Sequence, residues 1–193
     1  VAGIGDMNGD GTGDVALGAP YLDTYGYVDA GEAMVIFGSS GLPAVIDSTA
    51  SLDGIGLRLS GLACSIKLGS AVAGADVNGD GFADLIAGAP QGGTKLAGSA
   101  YIVFGGTALP SALTTGALGD LGVAIAGAFS YGYLGTAVAA AGDMNADGVE
   151  DIALPQALER FDCRNNRLAQ MALEQDGFAA AVAVARVRPA SAR

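Results

Sequence analysis

The sequence predicts an all-β chain assembled from copies of one four-stranded unit, and three observations carry that prediction. A nine-residue loop dense in oxygen-bearing side chains occurs three times, starting at Asp6, Asp76 and Asp143. Each loop is flanked by short apolar runs bounded by Gly or Pro, which read as strands rather than helices. The spacing is regular, 70 residues from Asp6 to Asp76 and 67 from Asp76 to Asp143, the length of about four strands with their turns. Self-similarity at a fixed period points to stacked repeats, in which each unit buries its apolar faces against its neighbours.

The clearest copy runs from Gly69 to Pro90, GSAVAGADVNGDGFADLIAGAP. In it residues 69–75 and 84–89 form two strands joined by the loop, and 98–104 (GSAYIVF) and 123–128 complete the unit. The first copy has the same order: the loop, 14–19 (DVALGA), a Tyr-rich connection, 31–37 (GEAMVIF) and 56–60 (GLRLS). The third begins with 135–141 and 151–154 and goes no further in recognisable form. Repeats are therefore expected at about 1–60, 61–128 and an incomplete 129–154, with an atypical tail over 155–193. The opening VAGIGD lies inside a motif, as expected of a piece of a longer precursor, and no signal peptide is read there. The small residues of SAVAGA suit a crowded inner strand, while AYIVF and AMVIF carry bulk for packing between units.

The loop chemistry is specific. Positions 1, 3, 5 and 9 are Asp6, Asn8, Asp10 and Asp14 in the first copy. They are Asp76, Asn78, Asp80 and Asp84 in the second, and Asp143, Asn145, Asp147 and Asp151 in the third. Position 6 is Gly11, Gly81 or Gly148, and position 7, held by Thr12, Phe82 or Val149, offers a backbone carbonyl. Hard cations take six to eight oxygen ligands, and alternate positions of a tight loop aim oxygens at one centre. These fifteen side chains and carbonyls are the expected ligands of up to three Ca2+ ions. A surface turn would explain one Asp-Asn-Gly cluster, but not three with the same five positions filled. An EF-hand requires a bidentate Glu at position 12 and flanking helices; position 12 is Leu17, Ala87 and Leu154.

Charge and composition narrow the function. The net charge of −11 argues against nucleic acid or an anionic membrane as partner. Nine of the twenty acidic residues are the loop aspartates, so much of that charge is metal ligand rather than solubility coat. With no His in 193 residues, Ser-His-Asp, Cys-His and His-bearing zinc sites are ruled out, and no enzyme activity is expected. Asp23/Asp29 and Asp47/Asp53 read as solvated loop residues, and Lys67 and Lys95 lack a phosphate-binding glycine signature. Cys64 and Cys163 make no disulfide framework. Residues 121–142 carry no charge and are long enough to span a membrane. They contain five glycines, and LGTAVAAAGD copies LGSAVAGAD, so two strands and a turn are expected.

Phe37-Gly38 and Phe104-Gly105, with Gly18-Ala19-Pro20 and Gly88-Ala89-Pro90, complete the pattern. Over residues 1–154 the chain resembles FG-GAP repeats, the blades of the integrin alpha-subunit propeller and of many bacterial secreted or surface proteins. The resemblance implies a partial β-propeller of about three four-stranded antiparallel blades, part of a seven-bladed type, with each calcium loop joining a blade's first two strands. It implies a ligand rim at the opposite end, here residues 21–30, 61–68, 91–97 and 129–134. The expected function is calcium-stabilised adhesion or ligand binding, outside the cell or on its surface as in a glycoprotein-like surface protein. The expected partners are a protein or carbohydrate and the remaining blades or another chain; the alternative is an accessory domain of a secreted hydrolase or phospholipase. Three blades cannot close a ring, which leaves open edges. Tyr21, Tyr25 and Tyr27 on the rim read either as a contact surface or, slightly favoured, as packing of the loop over its own blade.

From Pro155 the pattern ends: Gln156 and Ala157 stand where Gly-Ala-Pro is expected, and six of the nine basic residues follow. Leu158, Phe161, Leu168 and Met171 have loose helical spacing ended by Gly177, and 178–187 reads as a strand or as disordered. Two readings stay open, a capping element or sequence out of its original frame, the second fitting the composition better.

Overall fold

The computed structural model describes residues 1–47 and 50–155, and the expectations for the tail fall outside them. Eleven strands are described: β1 (Ala2–Gly5), β2 (Asp14–Ala19), β3 (Glu32–Ile36), β4 (Gly56–Ser60), β5 (Ala71–Ala75), β6 (Asp84–Ala89), β7 (Ser99–Val103), β8 (Ala112–Thr114), β9 (Gly122–Ala126), β10 (Ala139–Gly142) and β11 (Asp151–Ala153). The only helical pieces among the described residues are two three-residue 3-10 turns, Thr94–Leu96 and Gly119–Leu121. No helix there is long and apolar enough to cross a membrane, and the uncharged 121–142 stretch holds β9 and β10.

The strands form sheets β1-β2-β3-β4-β8, β5-β6-β7-β9 and β10-β11. Within each repeat neighbouring strands are antiparallel, so the molecule is a partial β-propeller: two complete blades and the inner hairpin of a third. One strand was not foreseen. The connection after β7 lays β8 parallel along β4, pairing Arg58 with Ala112 and Ser60 with Thr114, so the second repeat clasps the outer edge of the first.

Stacking follows from the two-residue period of a strand. On β6, Leu85, Ala87 and Ala89 face a core shared with Val35, Leu57 and Leu59 of the first repeat and with Leu68 of the junction between the two. Ile86 faces the opposite way, into a core with Ile102, Leu134, Ile152 and Leu154. Every residue of β6 is buried as a result, whereas β2 at the end of the stack buries only Asp14 and Ala16. The blades also approach at backbone distance. A side chain at Gly18 would collide with the carbonyl of Gly69, and one at Gly88 with that of Gly135, so the Gly-Ala-Pro glycines are contact points between successive blades. The contact repeats in the hydrogen bonds: Leu68 N donates to Ala30 O and Leu134 N to Ala97 O, both at 3.0 Å.

Candidate metal loops and the opposite rim

Each loop is held by its own side chains. In the second, Asp76 Oδ1 accepts from Gly79 N at 2.7 Å and Asp80 N at 3.2 Å, and Asp76 Oδ2 accepts from Gly81 N at 2.9 Å. Asn78 Oδ1 accepts from Asp80 N, and Asp80 Oδ1 from Phe82 N, each at 2.9 Å. Gly81, at φ +89°, allows the reversal that brings these groups round. The first loop repeats the network through Asp6, Asn8 and Asp10, with Gly9, Asp10, Gly11 and Thr12 as amide donors. The third keeps most of it: Asp147 N donates to Asp143 Oδ1 and Asn145 Oδ1, Gly148 N to Asp143 Oδ2, and Val149 N to Asp147 Oδ1.

The ninth-position carboxylate is the anchor. Asp84 is fully buried and receives Val77 N at 2.9 Å and Gly105 N at 2.8 Å. Asp14 is held the same way by Met7 N and Gly38 N. Gly38 and Gly105 are the glycines of the two Phe-Gly pairs, so the third strand of each blade ends by clamping its loop. Sequence reading missed that role; the recurrence of Phe-Gly 23 residues after Asp14 and 20 after Asp84 was the available signal. Asp151, with no third strand described beside it, receives Met144 N at 2.9 Å and a long contact from Asn145 Nδ2 at 3.5 Å.

The electrostatics follow the burial. Desolvation pushes Asp84 up to about 7, against the two amide hydrogen bonds and with the help of Asp80 and Asp76. Asp14 is raised for the same reasons, burial first and then Asp10 and Asp6. Asp10 is held down mainly by its hydrogen bond with Asn8, and Asp143 mainly by Gly148 N. Among the described residues no three His, Cys, Asp or Glu side chains gather into a metal-holding group. The carboxylates of Asp6, Asp10, Asp76 and Asp80 are turned onto neighbouring amides instead. A further acid, Glu150, was not singled out: its Oε2 accepts Asp76 N at 2.9 Å, and its N donates to Asp76 O. Aligning the loops shows it, because position 8 is Gly13 and Ala83 in the other two.

The opposite rim is aromatic. Tyr21 and Tyr25 are about two-thirds exposed, and Tyr27, Phe129 and Tyr131 also face solvent. This corrects the expectation that the tyrosines pack over their own blade. Thr24 does that work, buried with its hydroxyl donated to Gly61 O at 2.6 Å. Lys67 Nζ stands 4.9 Å from the Tyr21 ring centre. Asp23 accepts Asp29 N within the loop, and Cys64 is exposed. Beneath the loop lies a feature sequence reading passed over: buried Glu32 with Arg58 and Ser60. Its signal was a single charge on each of two otherwise apolar strands, Glu32 at the start of β3 and Arg58 in the middle of β4.

Comparison with known proteins agrees with this architecture. Residues 68–103, running from the junction with the first blade through β7, match the model of the FG-GAP repeat. Phosphatidylinositol-glycan-specific phospholipase D of Bos taurus is 39% identical over 105 residues, 52% of this chain and 12% of that protein. Integrin alpha-IIb of Mus musculus is 39% identical over 104 residues, 50% of this chain and 10% of that protein. Integrin alpha-5 of Xenopus laevis is 28% identical over 163 residues, 78% of this chain and 13% of that protein. The chain thus spans about a tenth of the length of the curated relatives it matches.

Proposed function

This chain carries FG-GAP repeats of the integrin alpha type, and from that premise we propose that it is a propeller segment of an extracellular adhesion or ligand-binding protein whose blades are stabilised by Ca2+. The observation carrying the metal reading is the identity of two loops 70 residues apart. Each has oxygen-bearing side chains at the same positions and the same amide bonds to Asp6 and Asp76, and each ninth carboxylate is clamped by a Phe-Gly amide. The donor set is all oxygen, as a hard cation requires, and Asp14 and Asp84 are raised by burial first, with a smaller push from the neighbouring loop aspartates, each a desolvated carboxyl that a bound cation would compensate. The ligands would be Asp6, Asn8, Asp10, the Thr12 carbonyl and Asp14, with Asp76, Asn78, Asp80, the Phe82 carbonyl and Asp84 in the second loop and Asp143, Asn145, Asp147, the Val149 carbonyl and Asp151 in the third. Bound metal would add its binding free energy to folding. Calorimetric titration tests this: Ca2+ binding in the range of about 0.1–1 mM typical of extracellular modules, with one site lost in Asp76→Ala, supports it. No binding at millimolar Ca2+ overturns it.

The rim of Tyr21, Tyr25, Tyr27, Phe129 and Tyr131 is the proposed contact surface for a protein or carbohydrate partner. Exposed Tyr supplies large, rigid contact area. A second reading, an accessory propeller beside a phospholipase, is favoured by the phospholipase D relatives. The sequence adjoining this segment decides: a catalytic domain with metal-ligand motifs there supports the second reading.

A further inference from the structure

Glu32 opens β3, directly across from Ser60 at the end of β4, while Arg58 lies two residues earlier on β4. Glu32 is 2% exposed. Its Oε2 accepts the Ser60 hydroxyl at 2.8 Å, but Oε1 receives no hydrogen bond among the described residues. The Arg58 guanidinium pairs with Oε1 only at 3.6 Å, well beyond the roughly 2.7–2.9 Å of a charge-assisted bond, and donates at 2.8 Å to Ala50 O. A buried carboxylate oxygen left without a donor carries its full desolvation cost. These three residues floor a pocket of about 290 Å³ whose walls are Leu22, Thr24 and Tyr25 of the rim loop.

The blade itself does not require this arrangement. The matching positions of the second blade are Ser99, Ala126 and Ala124, held in the same strand register without any charge. The same fold is thus built without the pair, and the pair stands beneath the most exposed aromatic loop. We propose that this pocket is a binding site for a neutral polyhydroxylated ligand, a saccharide offering adjacent hydroxyls. This deepens the rim-binding reading above and rests on it.

The chemistry selects that class. An ammonium group within reach of Oε1 would stand against the Arg58 guanidinium, and an anion drawn to Arg58 would meet Glu32 and Asp23. A pair of vicinal hydroxyls meets both groups, one donating to Oε1 and its neighbour accepting from the guanidinium. Arg58 is partly exposed and its contact to Oε1 is long, so a small displacement admits the donor. Leu22 and Tyr25 supply apolar walls for the C–H face of a pyranose ring.

The test is saturation-transfer NMR on the calcium-loaded chain with the methyl glycosides of glucose, galactose and mannose, and with methylamine and acetate as charged probes. The expected result is binding of at least one glycoside, weakened at least tenfold in Glu32→Ser/Arg58→Ala, which installs the residues the second blade carries. If that variant fails to fold, Arg58→Lys, which removes the planar fork and keeps the charge, is expected to weaken the same glycoside at least threefold. No glycoside binding, unchanged binding in these variants, or preferential binding of methylamine or acetate overturns the proposal. Binding that survives in the pocket variants but is lost in Tyr131→Ala overturns the pocket while leaving the aromatic rim as a ligand surface; loss of Ca2+ binding by calorimetry is the separate failure of the metal reading.

Discussion

The second and third acidic loops share the same five positions, yet among the described residues Asp84 receives two short backbone bonds, from Val77 and Gly105, and Asp151 receives one, from Met144. In the second blade the second of these donors, Gly105, follows the third strand, β7. A comparable difference separates the sheets. Leu85 of β6 is fully buried between two blades, while Val15, its counterpart on β2, is 41% exposed at the end of the stack. In the two complete blades the loop is thus closed by the residues that follow the third strand, and a strand is fully buried only with a neighbour on each face.

That difference can be broken deliberately. The largest effect is expected from Leu85→Ala, which opens a cavity between two blades and should cost about 2–5 kcal/mol by chemical denaturation. Next comes Asp84→Ala, measured in chelator at pH 5. It strands two amides of a buried site, each costing about 1–3 kcal/mol, a loss partly offset because a desolvated carboxyl is removed with them; Asp151→Ala, with one such amide among the described residues, should cost about half as much. Equal losses would show that the third strand adds nothing to the loop.

A pH series is expected to be smaller but distinctive. Between the unfolded carboxyl value and about 7 the folded chain keeps a proton on Asp84 that the unfolded chain has released. Stability in chelator should therefore fall as pH rises from about 4 to 7. Calcium, binding the ionised form, should flatten or reverse that slope. A slope unaltered by calcium would separate Asp84 from the metal. The smallest effect is expected from Val15→Ala, within about 0.5 kcal/mol of the parent; a loss as large as that of Leu85→Ala would mean that β2 is covered in solution.

Much of this was legible beforehand because the period-2 alternation and the loop spacing repeat. The bounds of β2, β4 and β6 agree with the sequence reading residue for residue. β5 starts later than expected because Gly69 and Ser70 leave the strand to bond Gly88 O of β6 at the blade junction. β8 was not visible: its ALT segment has no alternation of its own and is a strand only because the edge of β4 is there to pair with. The tyrosines were misjudged because loop packing is done by a small polar residue, Thr24. Glu32 escaped notice because a lone acid on an apolar strand acquires meaning only once Arg58 and Ser60 are seen beside it.

The direct test of the account is thermal unfolding of the chain with 10 mM Ca2+ and with chelator. For dissociation constants of about 1 to 0.1 mM each site should add about 1.4–2.7 kcal/mol, raising Tm by about 3–10 °C per site for a chain of this size. Such a rise, reduced in Asp76→Ala, is the result predicted; superimposable curves in calcium and chelator would contradict the claim that the acidic loops hold the blades through a metal ion.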